Sequence, residues 1–294
     1  MPKVAVGDLE LYYDAYGDPS DQTVLLIPGL GAQCLSWPEE LCESLAARYL
    51  HVVRFDNRDV GLSTKLNHLP FSLDDMVAKM GSGEVIEAPY GFSEMAADAV
   101  GLMDALGIES AHVVGLSLGG MIAQVLAIES PNRLLSLTSV MSASGNVGYG
   151  QPTEDSLAML LGNPVSSDRS DVIEFQLRQR ATWGSPDHLD EAEAEAYFNA
   201  CLDRSDDSVS GSRHYGAIFT AYDREPGLRD LTMPTLLLHG TADKLVQPSG
   251  SERLAELIPH AELVWLEGMG HDLPTAYWAT IIENITQHVV RASA

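Results

Sequence analysis

His112-Val113-Val114-Gly115-Leu116-Ser117-Leu118-Gly119 is an apolar run that leads into a serine placed between two glycines. The run predicts a buried strand over residues 112–116, and the apolar periodicity after it predicts a helix over 118–129. A serine in so sharp a strand-to-helix turn needs very small residues two positions before and after it, because the backbone there is crowded. The turn exposes the serine oxygen and directs free helix N–H groups towards developing negative charge. We therefore interpret Ser117 as a candidate nucleophile.

A glycine-rich phosphate-binding loop is the main alternative for this segment, and two observations oppose it. No Gly-Lys-Ser or Gly-Lys-Thr sequence follows the turn. The 294-residue chain also carries 42 acidic against 17 basic residues, a formal net charge of −25 that disfavours phosphate. The same charge argues against nucleic acid and anionic membrane surfaces as partners.

Short apolar runs alternate with helical patterns over most of the chain, which predicts an α/β fold with a mostly parallel, eight-stranded sheet flanked by helices. The segment 65–90 interrupts this order and predicts one short helix, near residues 73–80. The segment 145–229 has no strand pattern, and its periodicity predicts four helices, near residues 154–161, 172–182, 191–202 and 214–222. We expect 145–229 to be a helical cap, or lid, inserted after the sixth strand. Residues 1–144 and 230–294 are then the core domain.

A serine hydroxyl is a weak nucleophile at neutral pH, so the reaction needs a base and a group that orients the base. The predicted strand 235–239 ends in a turn that carries Asp243, and the predicted strand 262–266 ends in a turn that carries His271. The carboxyl ends of parallel strands share one edge of a sheet, so we expect Ser117, Asp243 and His271 to converge there. For Asp243, a turn or helix-cap role is the alternative. The other eight histidines are interpreted as structural or surface residues, and for His68, His188 and His214, which fall in the segment 65–90 or in the predicted cap, a place in the lining of a pocket is the alternative.

Two backbone N–H groups are expected to stabilise the negative oxygen of a tetrahedral intermediate. One belongs to Leu118, directly after the candidate nucleophile. The other is expected from the loop after the predicted strand 23–27, where Gly29-Leu30-Gly31 lets the backbone approach a substrate closely. We assign this second N–H to Leu30, with Gly31 as the second choice. The alternative is that the glycines merely turn the chain.

Together these motifs resemble the α/β-hydrolase superfamily over nearly the whole chain. The resemblance rests on five segments: Pro28-Gly29-Leu30-Gly31, Asp56-Asn57-Arg58-Asp59-Val60-Gly61-Leu62-Ser63, Gly115-Leu116-Ser117-Leu118-Gly119-Gly120, Gly240-Thr241-Ala242-Asp243 and Gly270-His271. Within the superfamily, the segments 56–64 and 112–117 are similar to those of aclacinomycin methylesterase and related bacterial carboxylesterases. The resemblance implies hydrolysis of a carboxylic ester without a metal or a cofactor.

The chain departs from the family pattern in two places, one in the oxyanion loop and one in a segment that bears on the substrate. Pro28-Gly29 stands where the family usually has His-Gly before the oxyanion donor. The insertion 65–90 is longer than expected for the methylesterase, so its polyketide substrate is not carried over to this chain. Asp56 and Arg58 are interpreted as a structural turn network rather than as catalytic groups.

Aromatic residues on or beside the predicted cap helices, together with one just after the oxyanion loop, are candidate substrate contacts: Trp183, Tyr197, Tyr215, Phe219, Tyr222 and Trp37. Packing of the cap on the core is the alternative for each of them. Combined with the net charge, this lining predicts an ester substrate that is small to medium in size and neutral or hydrophobic.

Other activities remain open on the same three residues, namely a C–C bond hydrolase and a cofactor-free perhydrolase or haloperoxidase. A ligand receptor that keeps the hydrolase fold is the non-enzyme alternative. The expected partners are a small-molecule ester and water, with the oligomeric state open between monomer and dimer. The sequence shows no signal-peptide pattern, no apolar run of membrane length and no metal-binding or disulfide spacing of its three cysteines, so we expect a cytoplasmic location.

Overall fold

One sheet of eight strands runs through the computed structural model, which describes residues 2–205 and 210–293. The strands are β1 (Lys3–Val6), β2 (Leu9–Tyr16), β3 (Gln22–Ile27), β4 (Leu50–Phe55), β5 (Ala111–Leu116), β6 (Leu134–Val140), β7 (Thr235–Gly240) and β8 (Glu262–Leu266). Their order across the sheet is β1-β2-β4-β3-β5-β6-β7-β8. The pairs β1–β2 and β2–β4 are antiparallel, and the other five pairs are parallel. The predicted mostly parallel, eight-stranded sheet is confirmed.

Helices cover both faces of this sheet. In chain order they are α1 (Glu39–Ala46), α2 (Leu73–Ser82), α3 (Phe92–Ala105), α4 (Leu118–Glu129), α5 (Glu154–Leu160), α6 (Arg169–Trp183), α7 (Glu191–Arg204), α8 (Arg213–Phe219), α9 (Glu225–Arg229), α10 (Ser249–Leu257) and α11 (Thr275–Ala292). Apolar residues of α3, α4 and α10 form one core cluster, and those of α1 and α11 form the other. The inner strands β4, β5 and β7 are therefore buried along their whole length, which explains why apolar residues predominate in them.

The segment 65–90 contains a slightly longer helix than its sequence predicts. The Ser72 hydroxyl caps α2 by accepting a hydrogen bond from the Asp75 N–H at 3.1 Å. The helix continues to Ser82 and ends at Gly83, whose φ of 73° is the left-handed conformation that commonly terminates helices. Gly83, three residues beyond the predicted end at residue 80, is the stop signal in the sequence.

The segment 145–229, here called the helical insertion, lies between β6 and β7 and contains α5 to α9. In its described residues, 145–205 and 210–229, the structure has no strand. The first four helices match the four predicted from periodicity. The sequence analysis missed α9, because a helix of five residues is too short to show apolar periodicity.

Two buried ion pairs join the helical insertion to the core. Arg213 of α8 contacts Asp59 through two nitrogens, at 2.7 and 2.8 Å, and Arg204 of α7 contacts Asp56 at 2.7 Å. Both carboxylates are fully buried. Both aspartates belong to the turn that follows β4. This turn therefore anchors the helical insertion to the core through two ion pairs.

The charged form of Asp59 is favoured by its contacts. Burial alone would raise its pKa, but hydrogen bonds from Arg213, from the Leu66 N–H and from the Tyr90 hydroxyl hold the pKa below its usual value. Asp59 therefore stays ionised and paired at neutral pH. The stability that it contributes is present above the ordinary aspartate pKa and is lost as the pH falls through the lowered one.

Across residues 2–205 and 210–293, none of the helices combines the length and the apolar character needed to cross a membrane.

Replacing Asp59 by alanine is expected to lower the free energy of unfolding by about 3–5 kcal/mol, because the Arg213 charge loses its buried carboxylate. Urea denaturation at pH 7 measures this change. Asp104 is the matched control, since it pairs with Arg133 on the surface with 64% of its side chain exposed. Asp104→Ala should change stability by less than about 0.5 kcal/mol. Equal effects of the two substitutions would contradict the fastening role of Asp59.

Candidate active site

Ser117 occupies a turn in which only small neighbours fit. It lies between the end of β5 and the start of α4, with a φ of 55° and a ψ of −119°. This left-handed conformation is unusual for a residue other than glycine. A Cβ atom on Gly115 would overlap the carbonyl oxygen of Gly119, and one on Gly119 would overlap that of Ile27. The two glycines are therefore required by close backbone packing around the serine.

The structure brings Ser117, His271 and Asp243 together. The Ser117 Oγ lies 2.9 Å from Nε2 of His271, and Nδ1 of His271 lies 2.7 Å from Oδ2 of Asp243. Because the carboxylate can only accept, Nδ1–H donates to it, and Nε2 is left to accept the serine proton. The other carboxylate oxygen accepts the N–H groups of Leu245 and Val246, at 2.8 and 2.9 Å. These bonds fix the orientation of the Asp243 carboxylate that accepts from His271.

A second histidine contributes to the environment of Asp243. His239, at the end of β7, donates from Nε2 to the Val246 carbonyl at 2.8 Å, and the same nitrogen lies 3.5 Å from Oδ2 of Asp243. Burial alone would raise the pKa of Asp243, but His271 and His239 favour its charged form and hold the pKa below the usual value. The sequence predicts a structural role for His239. The spacing of four residues between His239 and Asp243 is the one sequence feature that relates the two side chains.

The helical insertion is hydrogen-bonded to the loop that carries His271. The His271 N–H donates to the Trp183 carbonyl at 2.7 Å, and the Gly270 N–H donates to Oγ of Ser185 at 2.9 Å. The Ser185 hydroxyl in turn donates to the buried carboxylate of Asp272 at 2.6 Å. The sequence does not indicate this contact between Ser185 and Asp272, because the two residues are 87 positions apart in the chain and no local pattern connects them.

The N–H groups of Leu30 and Leu118 are both available beside Ser117. Among the residues that the structure describes, neither group donates to an acceptor of the chain. The N–H of Gly31, the second choice from sequence, is already used: it donates to Nδ1 of His214 at 3.2 Å. The geometry thus favours Leu30 over Gly31 as the donor from this loop.

A cavity of about 630 Å³ opens over these groups and is lined by both the core and the helical insertion. Ser117, His271, Leu30 and Leu118 all line it. Of the aromatic candidates from the insertion, the structure places four in the lining: Trp183, Tyr197, Tyr215 and Phe219. Phe198 of α7 also lines it and was not among the substrate contacts proposed from sequence.

Two of the aromatic candidates do not line this cavity. Trp37 is fully buried in the core cluster on the α1 and α11 face of the sheet, because its segment turns inward at the start of α1. Tyr222 is 45% exposed at the surface, where its hydroxyl lies 3.3 Å from the Glu129 carboxylate. For these two residues the sequence interpretation as substrate contacts is corrected: Trp37 packs in the core, and Tyr222 faces solvent just beyond α8.

No group of three or more His, Cys, Asp or Glu side chains that could hold a metal ion occurs in the described part of the chain.

The family model whose description is "alpha/beta hydrolase fold" matches residues 22–274. The chain belongs to this family. The matched range includes Ser117, Asp243 and His271.

This α/β hydrolase is similar in sequence to rhodomycin D methylesterase DauP of Streptomyces sp. (strain C5). The two chains are 31% identical over an alignment that covers 97% of each. Rhodomycin D methylesterase DnrP of Streptomyces peucetius shows the same identity and coverage.

A solved structure of similar shape is the meta-cleavage product hydrolase CumD of Pseudomonas fluorescens IP01. It has a TM-score of 0.74 and 20% identity, and the comparison covers 99% of this chain and 98% of CumD. At that identity the likeness shows the fold alone.

Gly119→Ala is expected to lower the free energy of unfolding by about 1–3 kcal/mol, because the added methyl group overlaps the carbonyl oxygens of Ile27 and Pro28. Chemical denaturation measures the change. Gly81 in α2 is the control, since a Cβ there meets nothing within 4 Å. Gly81→Ala should stabilise the protein by about 0.5–1 kcal/mol through helix propensity. Unchanged stability of Gly119→Ala would contradict the crowding argument.

Proposed function

We propose that this protein is a serine hydrolase that cleaves carboxylic esters through an acyl-enzyme. Ser117 is the nucleophile, His271 the general base and acid, and Asp243 the orienting acid. The N–H groups of Leu30 and Leu118 form the oxyanion hole. The observation that carries the proposal is the continuous hydrogen-bonded chain from Ser117 through His271 to Asp243, located at a cavity whose lining includes Leu30 and Leu118, two residues whose N–H groups have no acceptor among the described residues.

Acylation begins when Oγ of Ser117 attacks the carbonyl carbon of the ester and Nε2 of His271 takes the hydroxyl proton. Negative charge then develops on the former carbonyl oxygen, where the Leu30 and Leu118 N–H groups stabilise it. Asp243 stabilises the positive charge on the imidazole. The C–O bond of the ester breaks, and His271 returns the proton to the departing alcohol.

Deacylation repeats the same steps with water as the nucleophile. His271 takes a proton from water as the water oxygen attacks the acyl carbon. The second tetrahedral intermediate collapses, the bond to Oγ breaks, and the serine recovers its proton from His271. The net reaction consumes one ester and one water molecule and yields one carboxylic acid and one alcohol.

The helical insertion is proposed to act as a cap that selects the substrate. The insertion lines the cavity with aromatic and aliphatic side chains such as Trp183 and Phe219. It also contributes polar and charged residues, which include Gln176, Gln179, Arg180, Asp190 and Glu193. Burial of apolar surface on such walls favours a hydrophobic acyl or alcohol group. The net charge of −25 further disfavours anionic esters. We propose a small to medium, neutral or hydrophobic ester, and the methylesterases DauP and DnrP support an ester with a small alcohol group.

The same groups would suit a receptor only poorly. A binding protein gains nothing from a serine held in a left-handed conformation and hydrogen-bonded to an imidazole, since such geometry is maintained at a cost in stability. A fluorophosphonate probe separates the two classes, because it labels an activated serine covalently and leaves a receptor unlabelled.

Ser117→Ala is expected to lower kcat for p-nitrophenyl butyrate by at least about 10⁴-fold, because the covalent route is lost. Spectrophotometric assay of p-nitrophenol release measures this effect. Ser139→Ala is the matched control, a buried serine of β6 whose hydroxyl has no partner within the described residues. It should keep wild-type activity. Hydrolysis at the wild-type rate by folded Ser117→Ala would overturn the assignment.

Trp183→Ala is expected to reduce kcat/KM for p-nitrophenyl octanoate about tenfold more than for the acetate, because the long acyl chain loses an apolar wall. Paired measurements on the two esters give this ratio. Tyr222→Ala, on the exposed surface, should leave the ratio unchanged. If both variants shift the ratio equally, or neither does, Trp183 does not contact the acyl group.

A further inference from the structure

His214 is a buried side chain of the helical insertion that contacts the oxyanion loop, defined here as residues 28–32. It lies on α8 and is fully buried. The Gly31 N–H donates to its Nδ1 at 3.2 Å, and its Nε2 lies 2.9 Å from the Arg58 carbonyl oxygen. The ring therefore bridges two core loops from the insertion.

The two partners determine the protonation of the ring. A backbone N–H can only donate, and a carbonyl oxygen can only accept, so Nδ1 carries a lone pair and Nε2 carries the proton. Burial lowers the pKa of His214 to about 4, which keeps the ring neutral at neutral pH. His214 thus acts as a fixed acceptor for the oxyanion loop.

This contact bears on the direction of the Leu30 N–H. That N–H shares a peptide plane with the Gly29 carbonyl, which accepts the Ala32 N–H at a long 3.3 Å. The next plane carries the Gly31 N–H, and Gly31 itself has a φ of 62°. Glycine readily adopts other conformations, so one weak bond inside the loop leaves its planes poorly fixed. The bond to His214 holds the second plane.

The position of His214 is itself fixed by its surroundings. The neighbouring Arg213 is paired with buried Asp59, which also accepts the Tyr90 hydroxyl at 2.7 Å. The Tyr90 ring packs edge-on against the imidazole, with the ring centroids 6.3 Å apart. A rigid acceptor orients a loop better than a mobile one, because no further side-chain entropy is lost when the hydrogen bond forms.

We propose that His214 is a positioning residue that holds the Gly31 peptide, so that the oxyanion loop presents the Leu30 N–H, and not the Gly31 N–H, to the oxyanion beside the Leu118 N–H. The inference rests on the proposed ester hydrolysis. The contribution of His214 is expected in kcat rather than in KM, because the substrate oxygen becomes negative only as its carbonyl carbon is attacked. A residue that merely packs the insertion on the core would change stability without this selective effect.

The test compares His214→Leu, which cannot accept a hydrogen bond, with His214→Gln. The glutamine amide can accept from Gly31 with its oxygen and donate to the Arg58 carbonyl with its nitrogen. For p-nitrophenyl butyrate, His214→Leu should lower kcat about 10–100-fold and leave KM within about threefold of the wild-type value. This loss of kcat is somewhat smaller than the loss expected when one oxyanion donor is removed completely. His214→Gln should recover at least about a third of the wild-type kcat.

A boronic acid inhibitor gives a second readout, because its tetrahedral adduct with Ser117 presents an oxygen to the oxyanion hole. Its affinity should fall in His214→Leu by about the same factor as kcat/KM. His112→Leu is the matched control, since His112 is also buried, also has a pKa lowered to about 4 by burial, and bonds only to Ser136 among the described residues. It should lose stability and keep kcat.

Three outcomes would overturn the proposal: wild-type kcat in folded His214→Leu, a rise in KM instead of a fall in kcat, or equal losses in the Leu and Gln variants. If His214→Leu does not fold, His214→Asn replaces it, because its shorter amide does not span the two partners. A wild-type protein that neither cleaves esters nor reacts with a fluorophosphonate would instead refute the proposed function, and this inference would fall with it.

Discussion

The backbone of Ser117, with its φ of 55°, forms a turn at which Ser117 lines the cavity next to Leu118, whose N–H has no acceptor among the described residues. Backbone crowding there leaves no room for a Cβ on either flanking glycine. The same turn ends β5 and begins α4, so the strained residue is held by the central strand on one side and a buried helix on the other. The remaining groups of the site are arranged around this fixed point, because a nucleophile is useful only where its base and its donors are positioned in advance.

The helical insertion contacts both halves of the candidate machinery. Through Trp183 and Ser185 it is hydrogen-bonded to the loop that carries His271, and through His214 it is hydrogen-bonded to the oxyanion loop. Buried ion pairs from two of its helices fasten it to the turn after β4. The same segment also forms walls of the cavity. The proposed selection of substrate and the proposed alignment of the catalytic groups therefore involve one structural unit.

Basic residues are scarce in this acidic chain, and several of them lie where they neutralise buried carboxylates. Arg58 pairs with buried Asp98, while Arg204 and Arg213 pair with the aspartates of the turn after β4. Asp243 is different, because its neighbours are two imidazoles rather than a guanidinium. An imidazole can change its charge during a reaction cycle, and a guanidinium cannot. This contrast separates the carboxylate of the candidate site from those that hold the fold together.

The sequence by itself determined the sheet, the helices longer than about two turns and the order of Ser117, Asp243 and His271 along the chain, because apolar periodicity and turn chemistry are local properties. Tertiary structure alone decided which aromatic residues line the cavity, separating Trp183 from the buried Trp37. It also revealed the bridge from His214 to Gly31, 183 residues apart. Contacts at such separations depend on how whole elements pack, and no pattern within a short window of sequence records that packing.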